Sequence, residues 1–308
     1  MQMTIISVVV TSVTGLPALD RCLKALETQQ GDFEYEVVAV VSHQPGAAAH
    51  VRKNFPRVKL IECPERKGIP ELRALGAAQA AGEFVAFTED RCVADGNWLS
   101  EILKAHQVSH DRVSHDRAGY DVVGGAIEPD GIRGMLNWAV YLCEYCFLML
   151  PVPRGEVGGL GGNNVSYRRE LLGSLDEPLR KSSWEFFLYE ELRHRGVKIL
   201  SAPTIVVRKK IEFGFLYFLT QRFHFSRSFA GMRRARLSAA RRLVHLLSAP
   251  LLPPLMLWRI AQQVFYKKRF RKEFLLSLPW LAIFMLSYAA GEFAGYWLGG
   301  GDSLLKVE

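Results

Sequence analysis

The chain has 308 residues, 49% apolar and 23% charged, which excludes a disordered, collagen-like or linker protein and suits one large domain or about two. Its five cysteines, an odd number, exclude a disulfide framework and fit a reducing compartment. The net charge of +8 is uneven: residues 208–308 hold 17 Lys/Arg against 5 Asp/Glu, a net +12, whereas residues 1–207 hold 22 against 26, a net −4.

The N-terminus lacks the basic start of a secretory signal, so the body is expected in the cytosol. Ile5–Val10 is β-branched and reads as a buried strand. Leu19, Leu23 and Leu26 recur at helical spacing within 16–29. Val37–Val41 and Val58–Ile61 are further strands, Ile69–Ala81 is an Ala-rich helix, and Phe84–Phe87 is a fourth strand ending in Thr88-Glu89-Asp90. This alternation predicts an α/β fold, a mostly parallel sheet with flanking helices. Ligands in such sheets bind at the carboxyl ends of the strands, here the segments after Val10, Val41 and Phe87.

Trp98–Gln107 has a helical pattern, and Val108–Arg117 repeats Val-Ser-His-Asp-Arg twice, which reads as a duplicated surface loop rather than a metal site. Cys143 and Cys146 form a Cys-x-x-Cys without the second pair that zinc needs, so inert thiols are expected. After a strand at Val122–Ile127, the Gly-rich segment 155–164 has no Gly-Lys-Ser/Thr and is no P-loop; its glycines would let backbone approach a ligand closely. Trp184–Arg195 is a helix with Glu185 in its first turn, Val197–Leu200 and Ile205–Val207 are short strands, and Phe213–Arg234 is an aromatic and basic helix.

Two apolar runs close the chain. Leu243–Phe265 contains Pro250, Pro253, Pro254 and Arg259; Phe274–Leu298 contains Pro279 and one charge, Glu292. Each is long enough to cross a bilayer. Basic clusters at 233–242 and 267–272 bracket the first run, so two full crossings would leave one cluster outside, against the positive-inside tendency. The Pro-broken first run is therefore expected to be re-entrant or interfacial. No nucleic-acid-binding signature is present, and the basic, apolar tail points to a membrane.

Several ordered segments carry a family resemblance. They are the strand Ser7–Val10; Arg73 and Gly76; the approach Ala80–Phe87 into Thr88-Glu89-Asp90-Arg91-Cys92; Gly162-Asn163-Asn164-Val165-Ser166-Tyr167; Trp184-Glu185 with Leu192 and Gly196; and Gln221-Arg222-Phe223 with Arg227. In order and spacing, residues 4–230 resemble glycosyltransferase family 2, the inverting enzymes of GT-A fold. The resemblance implies a catalytic domain over 1–210, a basic amphipathic interface region over 211–242 and hydrophobic membrane-associated helices over 243–308. It implies transfer of a hexose from a nucleotide-diphospho-sugar to a lipid-linked or polysaccharide acceptor, at the cytosolic face of a membrane (the inner one if the source is bacterial). By the same resemblance Glu185 is the base. Thr11, Ser42, Arg73, Glu89, Asp90, Arg91 and Arg208 bind the nucleotide-sugar, and Gly161, Gly162, Asn163, Asn164, Arg222 and Arg227 face the acceptor.

Chemistry explains the residue types. An inverting transfer needs a carboxylate to take the acceptor proton, and the leaving diphosphate needs a metal or fixed cations. Three departures bear on the cation. Ser42-His43 replaces the family's base-contacting Asp, Arg91 stands at the third position of the metal motif, and Arg208 stands at the family's late metal-binding His. One reading gives the arginines the metal's place, since their planar fork suits phosphate. A second keeps Mn or Mg on Glu89 and Asp90 alone. A third is a catalytically degenerate scaffold. A nucleotidyl- or phosphosugar transferase is disfavoured, because Thr11–Gly15 carries no basic residue.

Overall fold

The computed structural model describes residues 5–107, 119–175 and 185–307. The tandem repeat at 108–117 and Trp184 lie outside the described residues. The chain forms two compact units, one of residues up to 128 with 148–209, the other of 129–147 with the residues from 210 onward. Segment 129–147, which the sequence reading assigned to the N-terminal domain, thus belongs to the second unit.

The first unit is built on one sheet. Strands β1 (Ile6–Ser12), β2 (Tyr35–Ser42), β3 (Lys59–Cys63) and β4 (Phe84–Glu89) pair in the order β3-β2-β1-β4, all parallel. Helices α1 (Ala18–Glu27), α2 (Pro45–Asn54) and α3 (Ile69–Ala78) make the connections. All seven residues of β1 are buried, as a central strand covered on both faces requires. Its core joins Val9, Val38, Val40, Leu72, Val85 and Phe87.

Beyond β4 the sheet becomes antiparallel, so it is more mixed than the βα alternation indicated. After β5 (Cys92–Ala94) and helix α4 (Trp98–Gln107), the chain returns through β6 (Val122–Pro129), the short β7 (Gly155–Glu156), β8 (Val165–Arg168) and β9 (Ile199–Lys209). β8 pairs antiparallel with β4 and β6, and β5 with β9. The two short strands expected at 197–207 are this single strand β9. Its register sets Cys92 opposite Lys209 and Val93 opposite Arg208, so these two basic residues point to opposite faces of the sheet.

The second unit is helical: α5 (Met135–Tyr145), then, after the first unit's α6 (Arg169–Gly173) and α7 (Glu185–His194), α8 (Phe215–Arg234), α9 (Ala239–Ser248), α10 (Leu252–Lys267) and α11 (Arg271–Leu298). Pro253 and Pro254 fall in the first turn of α10, where a missing N–H costs nothing. Burial pushes the Cys143 and Cys146 thiols up to about 11 and about 12. Lys267, 8% exposed, donates to the carbonyls of Cys146 and Phe147 at 3.1 and 2.9 Å just beyond α5. Two helical runs, Ala239–Lys267 and Arg271–Leu298, are long and apolar enough to cross a membrane.

Candidate active site

Four charged side chains of the first unit converge beside the carboxyl end of β4. Arg73, on α3, forms an ion pair through Nη1 with Glu185 at the start of α7. Its Nη2 donates to Glu89 Oε1 at 3.1 Å. The other oxygen of Glu89 accepts from the ammonium of Lys209, at the end of β9, and from the amide of Asn163 at 3.5 Å. Burial works against charge on Glu89, yet the Lys209 and Arg73 charges hold its carboxyl below the ordinary range. Burial also opposes the charge on Arg73, and Glu185 and Glu89 more than offset it, raising its proton affinity.

Gly162 keeps this centre open. A Cβ there would meet Glu185 Oε1 and Arg73 Nη1, so a larger residue would push both side-chain ends off their present places. The chain thus brings together Arg73, Glu89, Gly162, Asn163 and Glu185, five of the positions expected from the sequence. It adds Lys209, which that reading missed in favour of its neighbour.

Asp90 has a different part. Its Oδ2 accepts from Ser12 Oγ at 2.8 Å and from the backbone N–H of Thr14 and Gly15 at 2.8 and 3.3 Å, and the residue is 3% exposed. Burial raises its pKa, and the Thr14 and Ser12 donors oppose that rise only in part. Asp90 therefore ties down the loop after β1. Arg91 donates through Nε to Thr14 Oγ1 at 2.9 Å, fastening the same loop.

The other expected positions have the following surroundings. Thr11 is 1% exposed, with its hydroxyl turned to the Thr88 carbonyl at 3.4 Å inside the sheet. Ser42 is buried and donates to the Glu65 carbonyl at 3.4 Å. Arg208 faces away from the centre and forks onto Asp95 at 2.9 and 3.3 Å. Asn164 is fully buried, donates to the Ala126 and Ile205 carbonyls and accepts from Trp98 Nε1, so it latches strands instead of facing an acceptor. Gly161 packs toward Ile127 and Leu148, where a Cβ would lie 2.6 Å from one methyl and 2.8 Å from the other. In the second unit Arg222 is held by Glu144 at 2.8 Å between the rings of Phe218 and Phe225, and Arg227 donates to the Gly299 carbonyl at 3.2 Å. Both arginines serve internal packing there.

A cleft of about 360 Å³ opens at the carboxyl ends of β2 and β3, walled by Val41, His43, Gln44, Ala48 and Cys63. It follows the strand-end rule for the segment after Val41, and its wall includes His43, which stands beside Ser42 where the family has its base-contacting Asp.

The donor set does not fit a divalent cation. Both oxygens of Glu89 are taken by cations, Asp90 is buried on backbone N–H groups, and Arg91 occupies the next position. No group of three or more His, Cys, Asp or Glu side chains suited to a metal occurs among the described residues.

Comparison with known proteins identifies the family. A model of glycosyl transferase family 2 matches residues 7–175. Polypeptide N-acetylgalactosaminyltransferase 10 of Mus musculus is 28% identical over 142 residues, 44% of this chain and 22% of that protein's length. Mannosyltransferase PcManGT from Pyrobaculum calidifontis, solved in complex with GDP-Man and Mn2+, has a TM-score of 0.58 at 14% identity, covering 95% of this chain and 87% of that one. TarS 1–349 from S. aureus has a TM-score of 0.50 at 16% identity, covering 94% and 91%. At such identities the structural likeness establishes the fold alone.

Proposed function

The chain belongs to glycosyl transferase family 2, and on that premise we propose that it moves a hexosyl group from a nucleotide-diphospho-sugar to a lipid-linked or polysaccharide acceptor, with inversion, at the cytosolic face of a membrane. The observation that carries this reading is the Glu185 carboxylate, set against Gly162 and held by Arg73. Glu185 accepts the proton of the acceptor hydroxyl as its oxygen attacks the anomeric carbon. The bond from that carbon to the diphosphate oxygen breaks, and its electron pair stays on the diphosphate. Arg73 orients the base and ties it to Glu89. The cleft beside His43 has a volume that suits a nucleobase.

The second unit supports a seat in the membrane interface. α8 and α11 pack in parallel: Phe215 meets Trp280, Phe218 meets Phe284, and Cβ atoms at Gly291 and Gly295 would lie 2.2 and 2.5 Å from the carbonyls of Phe223 and Arg227. A full crossing by α11 would draw Gln221, Arg222, His224 and Arg227 toward hydrocarbon, at high cost. Leu247, Leu251, Trp258 and Leu286 remain more than half exposed, and the basic residues around them would gain about 1 kcal/mol each from anionic lipid.

A degenerate scaffold is the second reading, favoured by the engaged carboxylates of the metal motif. The test is release of nucleoside diphosphate from a panel of nucleotide-sugars by the full chain with a membrane lipid and glycan extract. The proposal predicts acceptor-dependent release and a product of inverted anomeric configuration by NMR. Release no greater than that of Glu185→Gln with every donor favours the scaffold.

A further inference from the structure

The strand end β9 sets a lysine, rather than the expected arginine, against the carboxylate that opens the metal motif. Lys209 is 5% exposed and its ammonium lies on Glu89 Oε2, with the Asn163 amide on the same oxygen at 3.5 Å. Arg73 holds the other oxygen at 3.1 Å. One carboxylate therefore meets two buried cations. With Glu185 on Arg73, the cluster holds two cations against two carboxylates. A divalent ion on Glu89 Oε2 would have to stand against the Lys209 ammonium already on that oxygen.

We infer that Lys209 is the resident cation of the donor site: its ammonium takes the seat a divalent metal would have on Glu89, so this chain binds the nucleoside diphosphate without metal. The inference rests on the nucleotide-sugar reading above and deepens it. Lysine suits the task because its ammonium is a compact point charge, close to what a bound ion supplies. When the bond to the anomeric carbon breaks, the negative charge left on the diphosphate is met by this fixed charge together with Arg73, both already in place. Arg208, one residue earlier on the strand, points to the other face and pairs with Asp95, so it takes no part.

The experiment is isothermal titration of the full chain with UDP, GDP, dTDP and ADP, each in EDTA and in Mn2+. The wild-type chain is expected to bind one of them with the same Kd, within about twofold, in both buffers. Lys209→Ala should bind that nucleotide at least about tenfold more weakly in EDTA and recover in Mn2+, because the place beside Glu89 that the ammonium held is then open to the ion. A merely structural lysine would give no such gain of metal dependence. Lys209→Arg keeps the charge and should bind in EDTA, which carries the test if the alanine variant does not fold. Wild-type binding only with Mn2+ overturns the inference and leaves the donor reading standing. Undiminished binding by Lys209→Ala in EDTA also overturns it. Failure of every nucleotide in both buffers removes the donor reading itself, and the inference with it.

Discussion

Arg73 in the first unit and Arg222 in the second are both arginines held by glutamates, with side chains 13% and 8% exposed. Their surroundings differ. Arg73 is shared between Glu89 and Glu185, carboxylates from β4 and α7, and lies beside a glycine at the open end of the sheet. Arg222 has one carboxylate, Glu144, and is sealed between two phenyl rings. Burial of a charged residue does not itself mark a site. Convergence of several charges on a place that backbone leaves open does.

That contrast can be broken most directly by removing both arginines. Arg73→Met should lower turnover by about a thousandfold, because it frees the base and leaves two carboxylates without their shared partner. Arg222→Met should cost about 3–5 kcal/mol of stability by denaturant melting. Nucleotide affinity of the folded fraction should not change. Loss of nucleotide binding in Arg222→Met would erase the distinction between the two units.

A buried group outside both clusters gives the next largest effect. His106 is 1% exposed, donates from Nδ1 to the Tyr120 carbonyl at 2.7 Å and accepts at Nε2 from Ser166 Oγ at 2.9 Å. Burial, with the nearby Arg168 charge, pushes its pKa from 6.5 down to about 4. The unfolded chain therefore takes up the proton first as pH falls. Stability present above pH 6.5 should decline toward pH 4, by at most about 3 kcal/mol. Urea melts across that range should show the decline, and His106→Gln should flatten it.

Smaller effects sharpen the map of the site. Gly162→Ala should cut kcat by about ten- to a hundredfold with nucleotide Kd retained, since the new methyl displaces the Glu185 carboxylate. Arg208→Ala should change nucleotide Kd by less than about twofold, the loss of a half-exposed ion pair with Asp95. A large loss with Arg208→Ala would return the cation to the position the sequence first suggested.

Much of the fold was legible because its signals are local. The β-branched runs at Ile6 and Val37 and the apolar run at Phe84 marked β1, β2 and β4, and the Leu19, Leu23, Leu26 spacing marked α1. The antiparallel return was less legible: β9 contains Ala202, Pro203 and Thr204 between its apolar ends, and read as two pieces. Within the site, the family resemblance at Arg73, Glu89 and Glu185 was enough to propose a centre. Direction and burial were not. Which of Arg208 and Lys209 faces Glu89 depends on strand register, set by β5 pairing across more than a hundred residues. That Asn164 is a latch while Asn163 reaches Glu89 follows from Trp98 and two carbonyls arriving from elsewhere in the chain. The period-2 alternation at 208 and 209 was a usable signal, had the strand been extended to its end.

The most direct test of the account is Glu185→Gln, with turnover and nucleotide affinity measured on the same preparation. The substitution keeps size and removes the proton acceptor. The account predicts that kcat falls by at least about a thousandfold while nucleotide Kd stays within about threefold. Unchanged turnover would contradict Glu185 as the base, and the transfer chemistry would have to be sought at another carboxylate.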